Sequence, residues 1–171
     1  GHGWAKADSH VALPVDPRSC DEIMSSDAAP YRWLGLMLAG VMPAHVVYSQ
    51  VDQRPAGFSQ TWIKKILREE LGFTGAVFSD DLLMEGAGVV GDAVDRAAAA
   101  FSGGCDFVLV CNQPAAMDRV LEATIWQRND EFDVRCERLV PRGYAPSITE
   151  LRKNDTYRNA LDDVSELAET H

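Results

Sequence analysis

Apolar residues along this chain gather in short continuous runs that alternate with stretches of helical spacing, the pattern of buried parallel strands covered by helices. Leu38 to Val46 reads as a short buried strand running into a loop. The helix after it is the clearest in the chain. Ser59 stands where an N-cap belongs, Trp62, Ile63, Ile66, Leu67 and Leu71 recur on one face, and Gly72 follows as a terminating glycine. The run Gly75 to Leu82 is too short for a helix and ends in two adjacent carboxylates, Asp80 and Asp81. Asp92 to Gly103 predicts a second helix, whose alanines at 97 to 100 suit close packing on a sheet. Cys105 to Cys111 predicts another buried strand and Pro114 to Thr124 the helix that closes that unit. Upstream, Cys20, Ile23, Met24 and then Tyr31 to Leu38 suggest helix broken near Pro30.

Three strand–helix units in series imply an α/β fold with parallel strands. A closed (β/α) barrel needs eight such units and typically ~250 residues. The chain therefore folds either as a small open sheet or as the carboxyl-terminal part of a TIM-type barrel. From Arg128 the pattern turns charged, mixed in sign and helix-prone, with a break at Pro141-Arg142-Gly143-Tyr144. This divides the chain into residues 1–127, the strand–helix domain, and 128–171, a peripheral helical tail.

Composition narrows the functional classes. At 171 residues and 46% hydrophobic the chain can bury a single core. Its 16 Lys and Arg against 26 Asp and Glu give a net charge of −10, which repels nucleic acid and anionic membrane surfaces. Cys20, Cys105, Cys111 and Cys136 lie far apart without ligand spacing, as expected of reduced thiols in a cytoplasmic protein and not of a disulfide scaffold or zinc site. No stretch approaches the ~20 apolar residues of a membrane span. The opening Gly1-His2-Gly3-Trp4 carries no initiator Met, which suggests part of a longer polypeptide.

The carboxyl end of a strand is where open α/β sheets and barrels bind substrate, so Asp80 and Asp81 are the first candidates for chemistry. Helix capping is the alternative role for either. A second cluster lies in the opening loop, where Asp8 and His10 are two apart and Asp8 could orient His10 and stabilise its protonated form as a general acid and base. A solvated surface loop is the alternative there. His45, at the end of its strand, either lines a substrate pocket or is a hydrogen-bonded structural histidine. His2, Asp8, His10 and Asp80 could instead converge on a metal ion, as in a metal-dependent barrel hydrolase. Trp62 and Met84 read as packing residues, and Gly103-Gly104 as a helix-ending turn.

Taken together, Gly1-His2-Gly3, Asp8-Ser9-His10, Pro14-x-Asp16, Met42-Pro43-Ala44-His45-Val46, Glu70-Leu71-Gly72-Phe73 and Phe78-Ser79-Asp80-Asp81-Leu82-x-Met84-Glu85-Gly86 resemble the bacterial β-N-acetylhexosaminidases of glycoside hydrolase family 3, the NagZ type. The resemblance runs from Gly1 to about Asn112. It implies a TIM-type barrel of which this is the carboxyl-terminal part, with Asp80 as catalytic nucleophile, His10 as acid/base assisted by Asp8, and Asp81 structural. It implies no cofactor, and as substrate a terminal, non-reducing β-linked N-acetylglucosamine, for the NagZ type on anhydro-muropeptides during cytoplasmic peptidoglycan recycling. Retaining glycosidases usually pair two carboxyl groups ~5 Å apart; the resemblance implies that here a histidine takes the acid's place as proton donor, a role that needs no deep burial of a glutamic acid. The family's Lys-His-Phe-Pro run, which binds the sugar just before Gly-His-Gly, is not in this sequence, nor are sugar-binding Asp and Arg residues of earlier strands. The isolated chain is accordingly expected to have little activity, or to act only as a sugar-binding fragment, with an amino-terminal half-barrel as its natural partner.

Overall fold

In the computed structural model, which describes Gly3 to Glu169, the run ending in two carboxylates is the longest strand, β4 (Ala76–Asp81). It lies between β2 (Gly40–Val41) and β5 (Phe107–Leu109), parallel to both. Gly40 and Val41 pair with Ala76 and Val77; Phe78 pairs with Phe107 and Asp81 with Leu109, and the register shifts between those last two pairs. A separate parallel pair joins β1 (Val15–Asp16) to β3 (Val47–Tyr48). The run Leu38 to Val46, expected as a short strand entering a loop, holds only β2, and the segment 40–48 as a whole serves two sheets. Its first part pairs forward in the chain and its last part backward, and Pro43, which has no N–H to give a ladder, sits in the break. Among the described residues the strands do not close into a barrel.

Each expected strand–helix unit is present. The helix after β3 is Thr61–Glu70, started by Ser59, whose hydroxyl accepts from Trp62 N–H (3.1 Å). It is wound wider than an α-helix, with Leu71 N–H reaching Ile66 O five residues back, and it ends at Gly72 with φ +67°. Its Ile63, Ile66 and Leu67 are buried. After β4, α3 (Ala93–Gly103) opens on a reciprocal cap between Asp92 and Asp95. Its Ala97 and Ala100 have no exposed surface, and Gly103 brings α3 against the Phe58 backbone, where a Cβ would meet Phe58 C at 3.0 Å. Gly104, at φ +120°, donates to Ala100 O and Phe101 O, which is the expected helix-ending turn. After β5 comes α4 (Pro114–Ala123). Upstream, helix is broken as expected, into α1 (Cys20–Ser25) and α2 (Ala29–Leu34), with Pro30 in the first turn of α2. Phe58, Ile63, Leu67, Phe73, Val77, Leu82, Ala97 and Ala100 form the centre of one apolar core.

The tail divides differently from its sequence pattern. Helix α5 (Asp130–Leu139), read as peripheral, packs on the sheet domain: Phe132 lies 5.2 Å from the Phe107 ring and 4.5 Å from Trp126, and Arg135 pairs with Asp106. Those contacts pair residues 25 to 29 positions apart in sequence, or cross from loop to helix, and no local period announces them. A second compact unit begins at Pro141 and holds α6 (Ile148–Leu151), capped reciprocally by Ser147 and Glu150, and α7 (Asp155–Glu169).

Candidate active site

The carboxyl end of β4 holds its two acids in different ways. Asp81 is tied down: its Oδ1 accepts from Leu83 N–H and from Cys111 N–H beyond β5 (both 3.1 Å), and its carbonyl accepts from the His45 ring Nε2 at 3.0 Å. Asp80, half-buried, accepts from Asp81 N–H through Oδ1 (2.9 Å), and among the described residues its Oδ2 takes no hydrogen bond. A carboxylate braced at one oxygen and open at the other is suited to attack. Arg96 of α3 holds the segment that follows, donating to Leu82 O and to Gly91 O (2.7 Å each). Nothing local in the sequence marks Arg96 for this.

Asp8 and His10 meet. His10 Nδ1 lies 2.9 Å from Asp8 Oδ1, and the His10 backbone N–H donates to the same oxygen at 2.9 Å. A tight turn, with Val11 and Ala12 N–H both donating to Asp8 O, holds the two in place. Both side chains are well exposed, 71% for His10 and 60% for Asp8, so the ion pair stabilises the fold little and the imidazole is open to a ligand. With Nδ1 engaged by a carboxylate, Nε2 is the ring nitrogen left to meet a ligand. A shallow groove runs beside it, lined by Ala5, Lys6, Ala7 and Asp8. Ser9, between them, is fully buried, and its carbonyl accepts from Gly86 N–H at 2.9 Å, which ties this loop to the turn five residues beyond Asp81.

His45 has no exposed surface. Its ring packs 5.1 Å from that of Phe58, Nε2 donates to Asp81 O, and Nδ1 is buried without a hydrogen-bond partner among the described residues. Of the two roles the sequence left open, this geometry matches the hydrogen-bonded structural histidine. Burial holds the imidazole below the ordinary 6.5. The native state therefore refuses a proton that the unfolded chain accepts, and its stability falls as pH drops below about 6.5. His45→Gln, which keeps an N–H donor, is expected to flatten the pH dependence of the urea midpoint between pH 6.5 and 5; an unchanged slope would assign that dependence to other groups.

The alternative metal set includes His2, which lies outside the described residues. Among the described residues no group of three or more His, Cys, Asp or Glu side chains stands together as a metal site. No described helix is long and apolar enough to cross a membrane.

Residues 1–140 match the model of the glycosyl hydrolase family 3 N-terminal domain. The chain belongs to glycosyl hydrolase family 3. It is 52% identical over 170 residues to a β-hexosaminidase of Aromatoleum aromaticum, covering 99% of this chain and 48% of that protein. A β-hexosaminidase of Bordetella parapertussis is 52% identical over 161 residues, covering 94% of this chain and 46% of the relative. In structure the chain resembles NagZ from Neisseria gonorrhoeae in complex with N-trifluoroacetyl-D-glucosamine, with a TM-score of 0.82 and 40% identity over 98% of this chain and 48% of that one. The fold is thus that of the family 3 TIM-barrel-type domain, and the chain spans about half the length of the curated relatives it matches.

Proposed function

We propose that this chain carries the reacting groups of a retaining family 3 β-N-acetylhexosaminidase. The observation that supports it best is the pairing of an acid at a strand's carboxyl end, Asp80, with an Asp8–His10 dyad on a loop hydrogen-bonded to the turn after that strand. Names of the relatives point the same way. Asp80 Oδ2 attacks the anomeric carbon while His10, protonated and oriented by Asp8, gives its proton to the departing oxygen. A glycosyl ester on Asp80 results. The neutral His10 then takes a proton from water, which attacks the anomeric carbon, releases Asp80 and returns His10 to its starting state. Asp81 has no part in these transfers; it keeps β4 and β5 in register at the point where Asp80 emerges.

The substrate class we assign is a terminal β-linked N-acetylglucosamine, with anhydro-muropeptides of cytoplasmic cell-wall recycling as the natural source. The acidic net charge of −10 argues against polyanionic substrates. Turnover depends on holding the sugar as well as on the reacting groups. The chain alone should therefore hydrolyse little, and its activity should appear when it replaces the matching segment of the Aromatoleum relative.

The test is release of an aryl leaving group from its β-N-acetylglucosaminide at neutral pH by that chimera, with and without a strong chelator. Chelator-resistant turnover, much faster than on the aryl β-glucoside, is expected. Turnover lost to the chelator would transfer the reading to a metal-dependent hydrolase, and no turnover would leave a sugar-binding fragment.

A further inference from the structure

Three separate segments meet at one buried point. Ser9 comes from the opening loop, His45 from the break between β2 and β3, and Gly86 from the turn after β4; all three are buried. Gly86 N–H donates to Ser9 O, and His45 Nε2 donates to Asp81 O. The packing leaves no space for a side chain at Gly86. A Cβ there would stand 3.1 Å from His45 Cβ, 3.2 Å from His45 O and 3.3 Å from Ser9 Cβ. The backbone of Gly86 is outside the left-handed region, so it is room and not conformation that calls for glycine.

We propose that Ser9, His45 and Gly86 form a positioning post that sets the His10 loop relative to Asp80. The inference rests on the reading that His10 and Asp80 are the reacting pair. On one side of the post, Ser9 is bonded covalently to His10. On the other, His45 holds the carbonyl of Asp81, the residue next to Asp80. Gly86 packs against both His45 and Ser9, so the loop is held to the strand end through backbone and Cβ atoms, with no long flexible side chain in between. Reacting groups must be placed to within about 0.5 Å, and a misplacement of 1 Å costs about a hundredfold in rate. A methyl group at Gly86 forces Ser9 or His45 to yield by a few tenths of an ångström, and either shift changes how the loop sits relative to the strand end.

Gly88, two residues on in the same turn, provides the contrast, since a Cβ there meets only Arg96 Nη2 at 3.6 Å. In the chimera, Gly86→Ala is expected to lower kcat about tenfold with KM within about twofold, whereas Gly88→Ala leaves both within about twofold. Equal losses in the two variants, or a raised KM at unchanged kcat, would overturn the proposal. The full chain itself gives a second reading that needs no variant and no turnover. Its Gly86 amide, bonded to Ser9 O at a buried point, should exchange with deuterium at least about a hundredfold more slowly than an open amide. Open-chain exchange at Gly86 would remove the post. A wild-type chimera without turnover would instead count against the glycosidase reading and leave the exchange result to decide the post.

Discussion

Asp80→Asn will lower kcat/KM of the chimera on an aryl β-N-acetylglucosaminide by roughly 10⁴-fold, the scale seen when an enzyme loses its nucleophile. The substitution is nearly isosteric. An asparagine Oδ1 can still accept from Asp81 N–H, as the carboxylate does at 2.9 Å, so the strand end keeps its shape. What is lost is the negative charge and the oxygen lone pair that form the ester, since an amide oxygen is a poor nucleophile. The melting midpoint should therefore stay close to that of the unmodified protein. Asp81→Ala should behave in the opposite way: it removes the oxygen that accepts from Leu83 N–H and Cys111 N–H, contacts that build the site and do not react, so the melting midpoint falls. Full turnover by the Asp80 variant would end the assignment.

The second large effect is on stability. Asp106, 6% exposed in its side chain, accepts from Arg68 Nη2 (2.9 Å), Arg135 Nη1 (2.6 Å) and Val77 N–H (2.8 Å). One carboxylate thereby joins the Thr61–Glu70 helix, β4, β5 and α5. Both arginines are largely shielded, at 15% and 19% exposure, and Arg68 is already pushed below the usual arginine range, first by burial and then by Arg135. Asp106→Ala would leave Arg68 and a buried N–H without their anion and Arg135 with the exposed Glu131 alone. Breaking a buried pair in this way costs about 3–5 kcal/mol, which for a chain of this length lowers the thermal midpoint by on the order of 10 °C. Scanning calorimetry measures it directly. A drop of less than about 2 °C would mean that Arg68 and Arg135 find other partners. Asp106 lies at the amino end of β5, opposite Asp80, so KM on the folded variant should not move.

These two residues differ in how far the sequence foretold them. The place of Asp80 at the end of a buried strand was legible because its signal is local: an apolar run with an abrupt acidic end. Asp8 and His10 were legible for the same reason, being two apart in one loop. The helix start at Ser59 and the turn at Gly104 followed from capping rules that read a few neighbouring residues. Asp106 had no such signal. Its partners are 29 and 38 positions away, and its place inside an apolar run gives no hint that α5 will dock there and draw Phe132 and Arg135 out of the expected tail. The division of segment 40–48 between two sheets was hidden likewise, because Pro43 signals a break without saying which neighbours the two halves will choose. His45 shows the limit most clearly. A histidine at a strand end is compatible with a sugar ligand or with a latch, and only the carbonyl of Asp81, 36 positions on, distinguishes them.

The central claim is that Asp80 forms a covalent bond to the sugar, and the most direct measurement is the mass of the peptide that contains it. The chimera would be treated with a fluorinated N-acetylglucosaminyl donor whose ester hydrolyses slowly, then denatured, digested and mapped. The account predicts that the Asp80 peptide gains the mass of one sugar, with the fragment series placing it on Asp80. Sugar released steadily with the label absent, or found on another residue, would contradict it.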